Sequence, residues 1–380
     1  MKNINIFHIS PFPYYTGGID TWLYSFLTIN EKEHTYNVTL YCTGEVQPEK
    51  EAAFDITHFK HVNIIYLSTY PGFGLMPLWS IKYLFSFMAK KSGENADLSL
   101  ALGTVPVLLP LYIMKKLNLL KGEVFCSVRG QIAQDGIDLN KPKFLCWALK
   151  TLEGFLLKRV DKVFVNGEDT KAYLKRFYQL NSTVIANGFD DEKLNSVKVP
   201  ENLPSALAKE VSNKKVLLHV GTLRPIKGID YILNAYAALN DEEKSKSLLI
   251  FVGKGQEAFY KNIAKNLGIN VYFLGEKSNP LDYITLADAV INVSGGSGVS
   301  NSLLEALAMG KPVIAWDNLT FSQVMDDKSG VLCKTHDVQS LACGFAKIIN
   351  GDNFDQALVK SSVKPYYWSS IWYKWKQYLT

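Results

Sequence analysis

Residues 215–228 read KVLLHVGTLRPIKG, an apolar run that leads into a glycine turn with two cations. An apolar run without strict alternation is typical of a strand covered on both faces. The helical pattern that begins near Ile229 predicts a strand–turn–helix unit. Because this order recurs along the chain, the sequence predicts an α/β fold of parallel sheets with right-handed crossovers.

Eleven strands are predicted, and they fall into two groups. The first group is residues 4–9, 38–42, 62–67, 98–102, 124–128 and 162–165, and the second is residues 216–220, 248–252, 271–274, 289–293 and 313–315. Between the groups, residues 189–213 are polar and carry Pro200 and Pro204. We therefore expect two doubly wound domains, residues 1–195 and 196–365, facing each other across a cleft. A C-terminal helix should follow, at residues 366–380.

The composition excludes several classes of protein. Apolar residues make up 47% of the 380 and charged residues 20%, which excludes general disorder and is enough for two buried cores. The net charge of +5 is too small to indicate nucleic-acid binding, and no recognition motif accompanies it. The five cysteines have no paired spacing and the six histidines form no HxxxH pair. The sequence therefore predicts neither disulfides nor metal ligands, and a cytoplasmic location.

Two glycine turns predict phosphate or sugar sites. Gly17 and Gly18 follow the first strand, where positive φ and close backbone approach would expose the amides at the next helix start. In the turn at 221–228, Thr222 is followed by Arg224 and Lys227, cations that suit a diphosphate. A tight turn without ligand and a solvated basic loop remain the alternatives.

A serine- and glycine-rich loop, residues 294–306, leads into another predicted helix. Asn301 is its predicted N-cap, and the amides of Ser300, Ser302 and Leu303 would form an anion site at the positive end of the helix dipole. Glu305 lies one turn inside this predicted helix, where it could accept hydrogen bonds from ribose hydroxyls. The alternative is a capped helix with no ligand.

A fourth, weaker motif pairs Arg129 with a later Asn-Gly turn. Arg129 ends a first-domain strand, and we expect it to hold a phosphate or the acceptor. Residues 184–189, VIANGF, are predicted to form a further short strand with an Asn-Gly turn, in which Asn187 and Gly188 are structural.

Five segments in order resemble family 4 of the retaining glycosyltransferases: TGGI, VIANGF, GTLRPIKGIDYIL, VYFLG and SNSLLEALAMGKPVIA. The resemblance implies a GT-B fold, two Rossmann-like domains with the active site between them. It also implies that the terminal helix crosses back to the first domain, which would bury its stripe of Trp368, Ile371, Trp372, Trp375 and Leu379.

The resemblance implies a nucleotide-sugar donor, held mainly by the second domain, with no other cofactor. Lys227 matches the family's phosphate-binding lysine, and Glu305 matches its ribose-binding glutamate. Three positions depart from the pattern, because Ser297 and Thr222 replace the usual glutamate and arginine and no histidine matches the one that approaches the sugar. The remaining donor-site residues implied are Gly253, Val271, Phe273, Leu274, Gly298 and Val299.

The first domain also contains basic, aromatic-rich segments, residues 73–91, 105–121 and 141–160. Prolines or charges interrupt their apolar runs before a spanning length of about 20 residues. We expect either ordinary core helices or a peripheral surface for anionic lipid.

The expected function is transfer of a sugar from a nucleotide-diphosphate donor to a glycan or lipid-linked acceptor, retaining and metal-independent, in bacterial surface polysaccharide synthesis. A non-catalytic GT-B subunit that binds glycan or a partner glycosyltransferase is the alternative. A dehydrogenase is disfavoured because the glycine turns lack a GxGxxG pattern with a later acidic residue.

Overall fold

The computed structural model describes residues 1–14, 17–44, 52–68, 76–90, 96–130, 142–201, 203–295 and 298–380. The chain divides into two compact units. The first consists of Met1–Gly188 and Ile371–Thr380, and the second of Phe189–Ser370. The divisions thus fall at residues 188 and 370, whereas the sequence placed them at 195 and 365.

The first unit is built on a seven-stranded parallel sheet of order β3-β2-β1-β4-β5-β6-β7. Its strands are β1 (Lys2–His8), β2 (Tyr36–Thr43), β3 (Val62–Leu67), β4 (Leu98–Leu102), β5 (Glu123–Val128), β6 (Lys162–Val165) and β7 (Thr183–Val184). The described helices before residue 188 are α1 (Gly18–Glu33), α2 (Met76–Lys90), α3 (Val105–Lys116), α4 (Lys143–Leu157) and α5 (Glu168–Tyr178).

The second unit is built on a six-stranded parallel sheet of order β10-β9-β8-β11-β12-β13. Its strands are β8 (Lys215–Val220), β9 (Ser247–Val252), β10 (Tyr272–Phe273), β11 (Ala289–Asn292), β12 (Val313–Asp317) and β13 (Gly330–Lys334). The helices that follow residue 188 are α6 (Ser205–Val211), α7 (Ile229–Ala237), α8 (Asp241–Ser245), α9 (Glu257–Asn266), α10 (Pro280–Ile284), α11 (Asn301–Ala308), α12 (Val338–Ile349), α13 (Gln356–Val363) and α14 (Trp368–Leu379).

Both sheets confirm the doubly wound α/β class. In each, the chain runs to one side of its first strand and then returns to build the other side, so strand order reverses between β1 and β4 and between β8 and β11. Ligands of such sheets bind beyond the carboxyl ends of the strands at that reversal. The prediction missed β13, because its apolar run covers only Val331–Cys333 and pairing with β12 supplies the rest.

The apolar stripe of α14 is buried against the first unit. The Trp375 ring lies 4.8 Å from the Phe164 ring, 5.5 Å from the Trp22 ring and 6.1 Å from the Phe26 ring. The neighbouring Trp372 donates a hydrogen bond from Nε1 to Glu33 at 2.8 Å. An aromatic cluster joining α14 to α1 and β6 therefore closes the core on this side.

Candidate active site

The cationic loop 221–228 lies at the carboxyl end of β8. Residues Pro225–Lys227 form a 3₁₀ turn that places Lys227 two residues before α7. Gly228 follows at φ 69°, and a Cβ there would approach the Val293 carbonyl oxygen to 2.5 Å. Only glycine permits both this left-handed conformation and this contact.

The same loop is bound to the segment that leaves β11. The Gly295 amide donates a hydrogen bond to the Ile226 carbonyl at 2.8 Å. Asn292, the last residue of β11, donates from Nδ2 to Ser300 Oγ at 2.9 Å and to Ser302 Oγ at 3.2 Å. The loop with Lys227 and the start of α11 are therefore held together where strand order reverses.

A third loop, after β9, closes on the other side of loop 221–228. Leu223 donates to the Lys254 carbonyl at 2.8 Å. Gly253, at φ 146°, lies so near the Gly221 carbonyl oxygen that a Cβ would approach it to 1.9 Å. Thr222 stands between these contacts, and its carbonyl accepts from Arg224 N at 3.0 Å.

Positive charge collects in this loop. Neither Arg224 nor Lys227 forms an ion pair with any residue that the structure describes. Burial lowers the pKa of Lys227, and the Arg224 charge lowers it further. Beneath them, burial first and the Lys227 charge second lower the pKa of His219 to about 4. A bound anion would relieve this mutual repulsion.

Glu305 lies on α11, one turn from its start, and its carboxylate is half-buried. It accepts no hydrogen bond from the residues that the structure describes. Burial raises its pKa, and the Lys193 charge opposes that rise. A carboxylate held in this way offers both oxygens to a hydroxylated ligand.

The start of α11 differs in one respect from the prediction. Ser300 is the N-cap residue, with extended φ and ψ of −77° and 137°, while Asn301 is already helical. The Ser300 side chain does not cap the helix amides, because Asn292 and Ser302 hold its hydroxyl. Gly298 precedes it at φ 97°, followed by Val299, and Leu303 is buried. Ser297 lies outside the described residues.

The donor-site residues predicted at β10 do not all lie at the same end of the strand. Phe273 and Leu274 line a pocket with Tyr283. The Phe273 ring stacks on Phe251 at 4.8 Å, an arrangement that leaves an apolar wall. Val271 was predicted inside this strand but lies just before β10, whereas Leu274 directly follows it.

In the first unit, α1 begins without the positive φ that the two glycines predicted. Gly17 is the N-cap at φ −154°, which is extended backbone, and Gly18 is the first helical residue. A buried polar cluster supports this helix start. Asp20 accepts from Ser10 Oγ at 2.8 Å and lies 2.6 Å from His8 Nε2. The turn is therefore formed with extended backbone at Gly17, and the positive φ that adjacent glycines allow is not used there.

Arg129 lies beyond the end of β5 and packs on α1. Its guanidinium is 4.0 Å from the centre of the Trp22 ring. It donates from Nε to Ser127 Oγ at 2.9 Å and from Nη1 to Asn187 Oδ1 at 2.6 Å. Nη2 is buried without a hydrogen-bond partner among the described residues, and burial lowers the pKa of Arg129 to about 9.

The structure thus gathers the loops of Lys227, Glu305 and Gly253 at one edge of the second sheet, and Arg129 with α1 in the first unit. Sequence reasoning missed His219 and Asn292. Each is a polar residue in an apolar strand, KVLLHV and AVIN, and each is buried at the carboxyl end of that strand. A polar residue that interrupts an apolar strand was therefore the sequence signal that could have identified both residues.

Residues 206–364 match the model of the family described as glycosyl transferases group 1. An uncharacterized glycosyltransferase of Methanocaldococcus jannaschii is 24% identical over 89% of this chain and 87% of its own. The poly(ribitol-phosphate) alpha-N-acetylglucosaminyltransferase of Staphylococcus aureus is 24% identical over 60% of this chain and 46% of its own.

A crystal structure of Anabaena HepE in complex with UDP has a TM-score of 0.71 and 18% identity, and it covers 100% of this chain and 99% of that one. This likeness identifies the fold as GT-B. In the part of the chain that the structure describes, no helix combines the length and apolarity needed to cross a bilayer.

Proposed function

We propose that this chain, a glycosyltransferase whose residues 206–364 match the group 1 family, transfers a sugar from a nucleoside diphosphate to a glycan or lipid-linked acceptor. The observation that carries the proposal is the hydrogen bond from Gly295 to Ile226. It fixes the cationic loop 221–228 beside the start of α11, at the reversal of strand order where such sheets bind ligands.

The pyrophosphate of the donor would lie between that loop and α11. Lys227 and Arg224 supply two cations that the described protein does not neutralise. The amides from Ser300 to Leu303 add the positive end of the helix dipole. As the bond to the sugar breaks, charge grows on the leaving phosphate, and these fixed groups stabilise it without reorganisation.

The nucleoside would extend along the neighbouring loops. Glu305 would accept hydrogen bonds from the ribose hydroxyls, since its carboxylate has no described partner. Phe273 and Leu274 would form an apolar wall for the base. That HepE was crystallised with UDP supports a uridine nucleotide as the first candidate to test.

The transfer breaks the bond between the anomeric carbon and the β-phosphate oxygen and forms one to an acceptor hydroxyl. We assign the acceptor's proton to the leaving phosphate, with retention at the anomeric carbon, as the resemblance to family 4 implies. The charge needed at the phosphate is then provided by Lys227, Arg224 and α11, so the proposed reaction needs no metal ion.

We assign the acceptor to the first unit, near Arg129. Its guanidinium has an unbonded Nη2 and no carboxylate partner among the described residues, which suits an anionic or hydroxyl-rich glycan. The Staphylococcus aureus relative, by its name, glycosylates a poly(ribitol-phosphate). The name of this relative supports the proposal that the present chain helps to build a bacterial surface polysaccharide.

The test is a panel of UDP-, GDP-, ADP- and dTDP-sugars, scored by thermal stabilisation and by donor hydrolysis or transfer. One sugar should raise the melting temperature and be consumed, because a ligand of the folded state stabilises it by mass action. Binding without consumption would favour the non-catalytic subunit, and no binding by any sugar would refute the proposal.

Glu305→Gln should weaken binding of the donor about 10-fold or more by calorimetry, because a hydrogen bond to a charged group is worth about 1.5–3 kcal/mol. Glu242→Gln is the matched control, since that carboxylate is exposed on α8 and pairs only with Lys246 among described residues. Equal affinity in the two variants would remove Glu305 from the donor site.

We also propose that α4 lies on an anionic membrane surface. Phe144 and Trp147 are 73% and 69% exposed on this helix. Lys143 lies one turn before Trp147 on the same face, and Lys150, one turn after Trp147, has its ammonium 3.4 Å from the centre of the Phe177 ring. Aromatic rings in the interface and lysines at lipid phosphates are the two components of peripheral binding. Of the three basic segments, residues 73–75, 91 and 141 lie outside the described residues.

The double variant Phe144→Ala/Trp147→Ala should lose most cosedimentation with vesicles of phosphatidylcholine and phosphatidylserine. The reason is the loss of two exposed rings that would otherwise enter the interface. Phe259→Ala is the control, because that ring is 54% exposed on the second unit. Wild-type binding should fall at high salt. Binding that survives both the double variant and high salt would contradict this surface.

A further inference from the structure

Three potential metal ligands meet at the edge of the first sheet opposite its carboxyl ends. Glu31 is in the last turn of α1, His34 is the residue after that helix, and His61 directly precedes β3. His34 Nδ1 and His61 Nδ1 are 3.4 Å apart, and His61 Nδ1 is 3.0 Å from Glu31 Oε1. We propose that these side chains bind one divalent cation, with Zn²⁺ as the best fit.

The distances match those within a coordination sphere. Ligand atoms about 2.0–2.1 Å from a tetrahedral zinc ion lie roughly 3.3 Å from each other. The two measured separations lie on either side of that value, and all three ligand atoms are within 4.8 Å of one another. Two imidazoles and one carboxylate form a donor set that zinc accepts, with solvent completing the fourth position.

Without a cation, hydrogen bonds satisfy the ring nitrogens and the carboxylate of this cluster poorly. A ring nitrogen carries either one N–H or one lone pair in its plane. Without a cation, the single Nδ1–H of His61 must therefore serve both Glu31 and His34. With a cation, the three lone pairs point to one charge, and each ring keeps its Nε2–H for solvent.

The backbone holds the three ligands in place. The α1–β2 turn is fixed by Asn30, which is fully buried and exchanges two 2.9 Å hydrogen bonds with the main chain of Tyr36. His34 sits in that turn at φ 49°, and its amide donates to the Asn30 carbonyl. A ligand set on fixed backbone loses little conformational entropy on binding.

The loop before β3 is fixed by Glu31 itself. Its Oε1 accepts from the Lys60 amide at 2.9 Å and its Oε2 from the His61 amide at 3.1 Å. Because the carboxylate is oriented by backbone donors, it resembles the hydrogen-bonded carboxylates that support metal ligands. The cation would tie the end of α1 to the start of β3, at the amino-terminal edge of the first sheet.

The test is zinc binding by the full chain, free of any histidine tag, in a Cys343→Ser background that removes the exposed thiol. Native mass spectrometry should show one Zn²⁺ per chain after dialysis, and added ZnCl₂ should raise the melting temperature. His34→Asn, which keeps a residue tolerant of left-handed backbone, should weaken zinc binding at least ~10-fold. His61→Gln should do the same.

His58→Ala is the matched control, because this exposed histidine lies three residues before His61 and is no part of the cluster. It should bind zinc like the parent. Absence of zinc from the parent, or zinc affinity as high as the parent's in both His34→Asn and His61→Gln, would overturn the site. Circular dichroism checks that each variant folds. The outcome is separate from the nucleotide-sugar panel, since neither ligand set shares a residue with the other.

Discussion

Lys227→Ala should lower turnover by about 10²-fold or more at saturating donor. The Lys227 side chain is half-buried at the end of a 3₁₀ turn, and no described carboxylate neutralises it. In the proposed reaction its charge matters most when the leaving phosphate becomes more negative. Removing one fixed group of this kind typically costs about 10²–10³-fold in turnover. The loss should therefore appear in kcat more than in KM.

The matched control is Lys265→Ala, an exposed lysine in the last turn of α9. It changes the net charge of the second unit equally, so it separates a local effect from a general one. Lys227→Arg keeps the charge and should recover part of the turnover. Wild-type turnover in Lys227→Ala would remove this residue from the mechanism and with it the main support for the pyrophosphate site.

The fold was readable from sequence because buried parallel strands are nearly continuous apolar runs. All eleven predicted strands occur, with ends that move by one or two residues. The ends move because hydrogen-bonded pairing, and not apolar character, decides where a strand stops. Residue 293 shows this, since valine extends the apolar run although the strand ends at Asn292.

Only part of the candidate site could be predicted from the sequence, because its main contacts join positions that are far apart in the chain. The bond between Ile226 and Gly295 spans loops that no local pattern connects. The conformation of α1's first residues and the true N-cap of α11 also depended on neighbours, since Asn292 takes the Ser300 hydroxyl from another strand.

The histidine cluster shows the same limit more sharply. The histidines form no HxxxH pair, so the sequence predicts no metal site. His34 and His61 are 27 positions apart and meet only because β2 and β3 pair in parallel, with Val38 opposite Val62. That register is a property of the folded sheet.

Trp375→Ala should destabilise the first unit by about 3–5 kcal/mol, the usual cost of removing a fully buried aromatic side chain. Trp375 is 0% exposed and contacts rings from α1 and β6, so its loss leaves a cavity bounded by Trp22, Phe26 and Phe164. These elements are fixed by the sheet and cannot close the space.

Urea unfolding followed by far-UV circular dichroism measures this effect as a lower midpoint for the first unit, with the slope unchanged. Tyr373→Ala on the same helix is the control, because its ring is 64% exposed and its removal should change the free energy of unfolding by less than about 0.5 kcal/mol. If both variants unfolded at the same urea concentration, the packing of α14 could not be what closes this core. The terminal helix would then contribute little to stability, although its stripe of tryptophans is buried.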